Sequence, residues 1–271
     1  ESWEIARSHA MFAQSVECSG RIRFVSNDEA AKSFPEMFRR AMVGRPSAIN
    51  RSQVVWNSFL ADQESHRRGA SAFFHVVYQN DDSPEGYAVY RTQEEGKVFK
   101  KLHVVEQMSL SNSAHAALWS YLFGIDLIST ICANRRPVDD AIPWMLADPR
   151  KLKRLSADAL WVRLIDVCRA LEGRRYGQEG RLVLEVKDEF CPWNGGRYEM
   201  DGGPGGMQVR RSDATPDLVL SAADLAAGYM GAVRFTTLVH AGRIEEQTAG
   251  GVARADRMFA TRLAPWCPYS F

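Results

Sequence analysis

The chain closes on Trp266-Cys267-Pro268-Tyr269-Ser270-Phe271, aromatic residues where a terminus is ordinarily polar and frayed. Docking such a tail would carry the α-carboxylate of Phe271 into a cavity. A terminal carboxylate ordinarily titrates near about 3.3–3.7, and burial moves that value up toward one useful for taking a proton. Phe271 is therefore the candidate catalytic residue, as a proton acceptor.

The other chemistry-bearing residues point to less. His75 and His103 fall in predicted strands and His115 and His240 in predicted helices, none with a Ser, Cys or carboxylate at a diagnostic spacing. The five cysteines, Cys18, Cys132, Cys168, Cys191 and Cys267, form no CxxC pair and no zinc spacing with histidine, so reduced thiols and no metal are expected. Gly202, Gly203, Gly205 and Gly206 lie between two predicted strands rather than at a helix N-terminus, which reads as a hairpin turn and not a phosphate cradle. With 34 basic and 33 acidic residues the net charge is +1, which gives no electrostatic case for nucleic acid or a membrane surface. No run approaches the roughly 18 apolar residues of a membrane span, and no signal segment opens the chain, so a cytoplasmic protein is expected.

These residues must be positioned by about two domains, since 271 residues exceed the usual single-domain size. The chain starts at Glu1 without methionine, in the alternating run Trp3, Ile5, and reads as one that begins mid-protein. A strand over Arg21–Val25 precedes a helix burying Phe34, Phe38 and Met42, and a second helix from about Arg51 carries Val55, Phe59 and Leu60 on one face. Strands follow at Ser71–Tyr78, Gly86–Thr92 and Lys97–Glu106, the first two joined through the turn Asp81–Gly86. Ser113 is expected to cap a helix ending at Gly124, before a strand at Leu127–Ala133. This order gives helices on a mostly antiparallel sheet, a domain ending near Leu155, after which Trp161–Ile165 opens a second unit. That unit has strands at Leu182–Val186, Gly196–Met200 and Met207–Arg210, and helices at Val167–Arg174, Leu225–Met230, Thr236–Arg243 and Arg254–Arg262. The fold class is α+β.

Several motifs in order carry a family resemblance: Ala114-His115-Ala116-Ala117-Leu118-Trp119, Gly124-Ile125-Asp126, Asp158-Ala159-Leu160-Trp161-Val162-Arg163-Leu164, Ala170-Leu171-Glu172-Gly173-Arg174-Arg175-Tyr176, Leu184-Glu185-Val186 and Leu225-Ala226-Ala227-Gly228-Tyr229-Met230-Gly231-Ala232. Together with an ending in phenylalanine, the chain resembles the Eis (enhanced intracellular survival) family of GNAT N-acetyltransferases. The resemblance implies that residues 1–8 are the last strand of a preceding GNAT domain, 9–155 a second, cofactor-free GNAT-like α/β domain, and 156–271 a sterol-carrier-protein-like α+β domain. It further implies acetyl-CoA as cosubstrate, with its site and the tyrosine general acid in that preceding domain, so that this chain alone would be inactive.

By the same resemblance the terminal carboxylate of Phe271 removes a proton from an amine substrate, an aminoglycoside or a lysine-like amine, and the protein is a homo-oligomer, a hexamer. Asp158 matches an acidic residue of the amine pocket, Trp56 a tryptophan at its rim, and Asn134 a residue at a strand end; these three are the candidate substrate-binding residues. Two of them have a plain structural alternative: a cap or surface charge for Asp158, a core aromatic for Trp56. Ser270 departs from the family, which often has an acidic residue there, and that weakens the preference for highly cationic substrates. Two other functions stay open. One is an apolar-ligand binding module lined by Leu182, Leu184, Val186 and Val209; the other is an assembly scaffold without catalysis.

Overall fold

The computed structural model describes residues 1–16, 18–81 and 83–269. Two compact units are present: Glu1–Gly44 and Ala48–Ala159 with the tail from Cys267 to Tyr269, and Arg45–Ser47 with Leu160–Trp266.

In the first unit the strands are β1 (Ser2–Ala6), β2 (Arg21–Phe24), β3 (Phe74–Asn80), β4 (Ser83–Glu95), β5 (Phe99–Ser109), β6 (Ile128–Ala133) and β7 (Lys153–Leu155). They form one sheet in the order β2-β3-β4-β5-β6-β1-β7, antiparallel throughout except for the parallel β5–β6 pair. Helices α1 (Asn27–Ala41), α2 (Gln53–Leu60), α3 (Asn112–Gly124) and the short α4 (Ile142–Met145) complete it. The opening strand corrects an expectation. Residues 1–8 were assigned to a different domain, yet β1 pairs with β6 from Trp3–Ala133 to Ala6–Thr130 and with β7 on its other side. Its alternation seeks a local apolar face: Trp3 and Ile5 are buried, and the Trp3 ring lies 6.0 Å from that of Trp119 on α3.

Strand alternation sorts this core into two faces. Val76, Tyr78, Ala88, Tyr90, Leu102 and Val104 pack with Leu118, Trp119 and Leu122 of α3. Tyr87, one residue out of phase with Ala88, stacks on Phe34 of α1 at 4.0 Å. A bulge then changes the phase of β5. Val89 pairs with Glu106 and Tyr90 with Val104, so Val105 is the extra residue. Without it Glu106 would follow Leu102 and Val104 onto the α3 face; with it, Glu106 joins Tyr87. At Gly86 an added Cβ would come within 2.7 Å of Met108 O and 3.0 Å of Leu118, so glycine lets α3 approach β4 closely.

Two local readings differ from the structure. Ser111, not Ser113, caps α3, its hydroxyl accepting from Ala114 N at 3.2 Å and donating to Glu85 at 2.6 Å. The β3–β4 hairpin is also tighter than Asp81–Gly86: Asn80 already pairs with Ser83, helped by Asp81 at φ +44°, a left-handed conformation that Asp tolerates better than most residues.

The second unit holds α5 (Val167–Gly173), β8 (Gly180–Lys187), β9 (Gly196–Gly203), β10 (Gly206–Arg211), β11 (Leu218–Ser221), α6 (Ala222–Tyr229), α7 (Phe235–His240), β12 (Glu245–Glu246) and α8 (Gly251–Phe259). Its sheet order is β10-β9-β8-β11-β12, with β8 and β11 parallel. Leu218–Ser221 was not recognised as a strand because its four residues are too few to show a period. Trp161–Ile165 makes no strand, and Trp161 is 84% exposed. The glycine run is a hairpin turn, Gly203 pairing with Gly206 and Gly202 at φ +149°. Asp224 stands in a capping box but is too short to reach back to the Ser221 N–H; it accepts the Ser221 hydroxyl at 2.5 Å instead and pairs with Arg243.

Candidate functional site

On the face of the first sheet that Glu106 reaches, a charged group is enclosed by aromatic rings. Arg51 leads into α2, whose N-cap is Ser52, and its guanidinium meets the Glu106 carboxylate through both terminal nitrogens, one at 2.9 Å and one closer. Both side chains are nearly inaccessible to water. Phe38, Trp56, Phe59 and Tyr269 surround the cation with ring centroids at 4.3, 4.6, 5.0 and 5.0 Å. Tyr87 donates to Glu106 Oε1 at 2.6 Å.

Burial works against the charge on Arg51, but the Glu106 carboxylate and its hydrogen bonds outweigh it and hold the guanidinium pKa above its ordinary value. Burial first, and Glu106 second, push the Tyr87 hydroxyl well up, so it stays a donor.

The tail ends on this group. Arg51 Nε donates to the Tyr269 hydroxyl at 3.0 Å, and that hydroxyl donates to Ile49 O at 3.2 Å. Cys267 and Pro268 are buried, and Arg135 Nη1 donates to Pro268 O at 3.4 Å. Burial raises the Tyr269 pKa, partly offset by Arg51. An aromatic tail thus docks in the first unit through Tyr269, two positions before the chain end. Phe271 and Ser270 lie outside the described residues.

A cavity of about 550 Å³ opens on the same unit, lined among others by Arg67, Arg68, Arg91, Arg135, His103 and Asn134. Asn134 follows β6 and is exposed there. The other predicted residues do not join it. Trp56 is 2% exposed, so it is a wall of the Arg51 cage and not a pocket rim: as a large apolar ring beside Phe38 and Phe59 it packs inward. Asp158 is exposed in the segment after β7 and makes no hydrogen bond among the described residues.

Sequence reasoning missed Arg51, Glu106 and Tyr87. Their one signal was a glutamate directly after the apolar pair Val104-Val105 in a strand, a charge that burial permits only with a partner.

His115 also needs correcting. Its ring reaches both a serine and a carboxylate, Ser109 Oγ at 3.3 Å and Asp140 Oδ1 at 3.1 Å. Asp140 is shared with Arg136 at 2.5 Å and with Ile142 N at 3.0 Å, so the group fastens α3 to β5 and to residues 136–142. Among the described residues no cluster of three or more His, Cys, Asp or Glu could hold a metal, and no helix is long and apolar enough to cross a membrane.

The family model for the acetyltransferase (GNAT) domain matches residues 47–164, and that for the sterol carrier protein domain matches 167–268. The N-acetyltransferase Eis of Mycobacterium tuberculosis is 30% identical over 270 residues, covering 98% of this chain and 64% of that protein. The crystal structure of Eis1 from Mycobacterium abscessus superposes with a TM-score of 0.82 at 26% identity, over 100% of this chain and 67% of that one. This chain belongs to the Eis-like GNAT family.

An uncharacterized N-acetyltransferase of Streptomyces coelicolor is 35% identical to the Eis-like chain over 255 residues, 93% of this chain. The Eis-like chain spans 62% of that relative's length. A GNAT domain lies within the chain, so the expectation that the chain is inactive because its acetyl-CoA domain lies elsewhere is not supported. The β5–α3 crossing itself does not fit the phosphates of acetyl-CoA. Ser111 occupies the free Ala114 N–H, and the Glu85 carboxylate bonded to Ser111 puts negative charge at that helix N-terminus.

In the second domain, Leu182, Leu184, Val186 and Val209 are closed into the core with Val167, Leu225 and Met258 rather than lining a ligand cavity. The open hollow of about 880 Å³ there is lined by Glu179, Arg181, Asp201 and the glycines of the β9–β10 turn, which offers an apolar ligand little.

Proposed function

We propose that the Eis-like chain serves N-acetyl transfer from acetyl-CoA to an amine, with the carboxylate of Phe271 as the proton acceptor. The observation that carries this reading is the seat of Tyr269 on Arg51, which fastens the tail to the GNAT unit two residues before its end. An amine arrives as an ammonium ion and cannot attack until it loses a proton. That carboxylate takes this proton; the freed nitrogen attacks the thioester carbonyl of acetyl-CoA, the carbon–sulfur bond breaks, and the leaving thiolate takes up the second proton that the nitrogen gives up as the amide forms. Asp158, an exposed carboxylate, draws the cation in, and Asn134, exposed after β6, orients it. Aminoglycosides and lysine-like amines are the substrate class. The same reading takes the protein as a cytoplasmic homo-oligomer, a hexamer by family resemblance, which sedimentation velocity checks.

A direct test follows acetylation of a panel of mono- and polyamines by thiol release, comparing the parent with Tyr269→Phe and Tyr269→Ala. The proposal requires kcat to fall while the far-ultraviolet spectrum is kept, with the alanine variant the slower. Parental rates in both variants would remove the tail from the mechanism.

A further inference from the structure

The place where Arg51 receives Tyr269 is set by groups deeper in the first unit. Tyr87 on β4 is fully buried, and its ring lies against Phe34 of α1 at 4.0 Å with an interplanar angle of 11°. A ring clamped in this way aims its hydroxyl in a set direction, and Glu106 Oε1 on β5 receives it at 2.6 Å. The same oxygen accepts Arg51 Nη1 at 2.9 Å, while Oε2 accepts Nη2. The Glu106 carboxylate is thus gripped from two sides, by a phenol fixed to α1 and by the guanidinium that it orients.

A guanidinium is planar, so a carboxylate that holds both terminal nitrogens also decides where the Nε–H points. On Arg51 that N–H meets the Tyr269 hydroxyl at 3.0 Å, and the hydroxyl donates onward to Ile49 O at 3.2 Å. The bonds form a chain from the core to the tail: Tyr87, Glu106, Arg51, Tyr269. Its softest joint is the terminal torsion of Glu106, which is broad and roughly two-fold in a free side chain. Left alone, the carboxylate and the guanidinium can turn together as one plate and carry the Nε–H with them. The Tyr87 hydroxyl stops that rotation.

We infer that Tyr87 is a positioning residue for the tail: by fixing the plane shared by Glu106 and Arg51, it fixes where Tyr269 is seated. Its effect on rate rests on the proposed role of the Phe271 carboxylate; its effect on the seat does not. Productive geometry tolerates errors of only about 0.5 Å or 10–20°, so a plate free to turn slows catalysis without touching the substrate. A Tyr87 that only filled the core would alter stability and leave the rate of the folded protein alone.

The experiment compares the parent with Tyr87→Phe, Tyr269→Phe and the double variant, each below its unfolding transition. One readout is the kinetics of amine acetylation. The other is alkylation of the Cys267 thiol by N-ethylmaleimide, followed by peptide mass spectrometry. Cys267 is 4% exposed in the tail, and Cys132 on β6 is the control within the same unit. Tyr87→Phe should lower kcat about three- to tenfold with KM unchanged, and should speed alkylation of Cys267 about threefold or more while Cys132 reacts at the parental rate. On the Tyr269→Phe background it should change neither readout further, because the chain of bonds to the tail is already cut at that hydroxyl.

Faster alkylation of Cys267 with a parental kcat would keep Tyr87 as the residue that seats the tail and remove the Phe271 carboxylate from catalysis. Losses that add in the double variant, a parallel rise at Cys132, or no change at Cys267 would overturn the positioning role. If Tyr87→Phe does not fold, Glu106→Asp, which keeps the charge but draws the carboxylate back from Tyr87, must give the same pattern for the role to stand.

Discussion

Arg51 donates from Nε to the hydroxyl of Tyr269 at 3.0 Å while its two terminal nitrogens hold Glu106, so one guanidinium joins the buried centre of the GNAT unit to the tail. The two bonds carry unequal weight. Glu106 keeps the charge tolerable in a ring of four aromatics, and Tyr269 uses what remains of the donor set. Arg51→Met should therefore destabilise the protein by about 3–5 kcal/mol, because it strands the Glu106 charge, whereas Tyr269→Phe should cost only about 0.5–1.5 kcal/mol. Urea unfolding of both variants checks the ratio. Equal losses would mean that the Arg51–Glu106 pair is not the structural centre described.

Trp56 distinguishes a wall from a rim. Trp56→Ala should cost about 3–5 kcal/mol in stability, as for other large buried aromatics, and leave KM for the amine unchanged at temperatures where the variant is folded. A raised KM with parental stability would return Trp56 to the substrate pocket.

Asp158 should behave in the opposite way. It is exposed and makes no hydrogen bond among the described residues, so Asp158→Asn should leave the melting temperature within error. KM should rise more for polyamines than for monoamines, since only the attraction between charges is lost. A uniform change across the panel would exclude that role.

Asp140 sets an acid limit on stability. Burial alone would raise its pKa, but the charges of Arg136 and His115 and the hydrogen bonds it accepts outweigh burial and depress it below the unfolded value. A depressed carboxylate pKa contributes stability that is present above the unfolded pKa and lost as pH falls toward the folded one. Stability from urea unfolding should thus decline on acidification below the ordinary aspartate range, and Asp140→Asn should be less stable at neutral pH with a flatter acid limb. An unchanged slope would assign the acid loss to other carboxylates.

Much of the fold was legible because it rests on periodicity. The α1 pattern of Phe34 and Phe38, the glycine hairpin at 202–206 and the helix closing at Gly124 are each set by local rules that the structure follows. The candidate site was less legible for a physical reason. Glu106 reaches Arg51 only because Val105 is extra in β5, and a one-residue bulge leaves no trace in hydrophobic alternation. The place of β1 was misjudged because Trp3 and Ile5 announce a strand but not its partners, which lie more than 120 residues away at β6 and β7. The aromatic tail could be read as docking, while the arginine that receives it could not.

The central claim is that the carboxylate of Phe271 removes the amine proton, and chain length tests it most directly. One glycine added after Phe271 moves that carboxylate by up to about 3.5 Å while leaving Tyr269 and Arg51 in place, and displacements of about 1 Å already impair catalytic geometry. The account predicts a fall in kcat for amine acetylation of about 10²-fold or more, with the thermal unfolding midpoint unchanged. A parental kcat in the extended protein would contradict it and assign the proton to water or to another base.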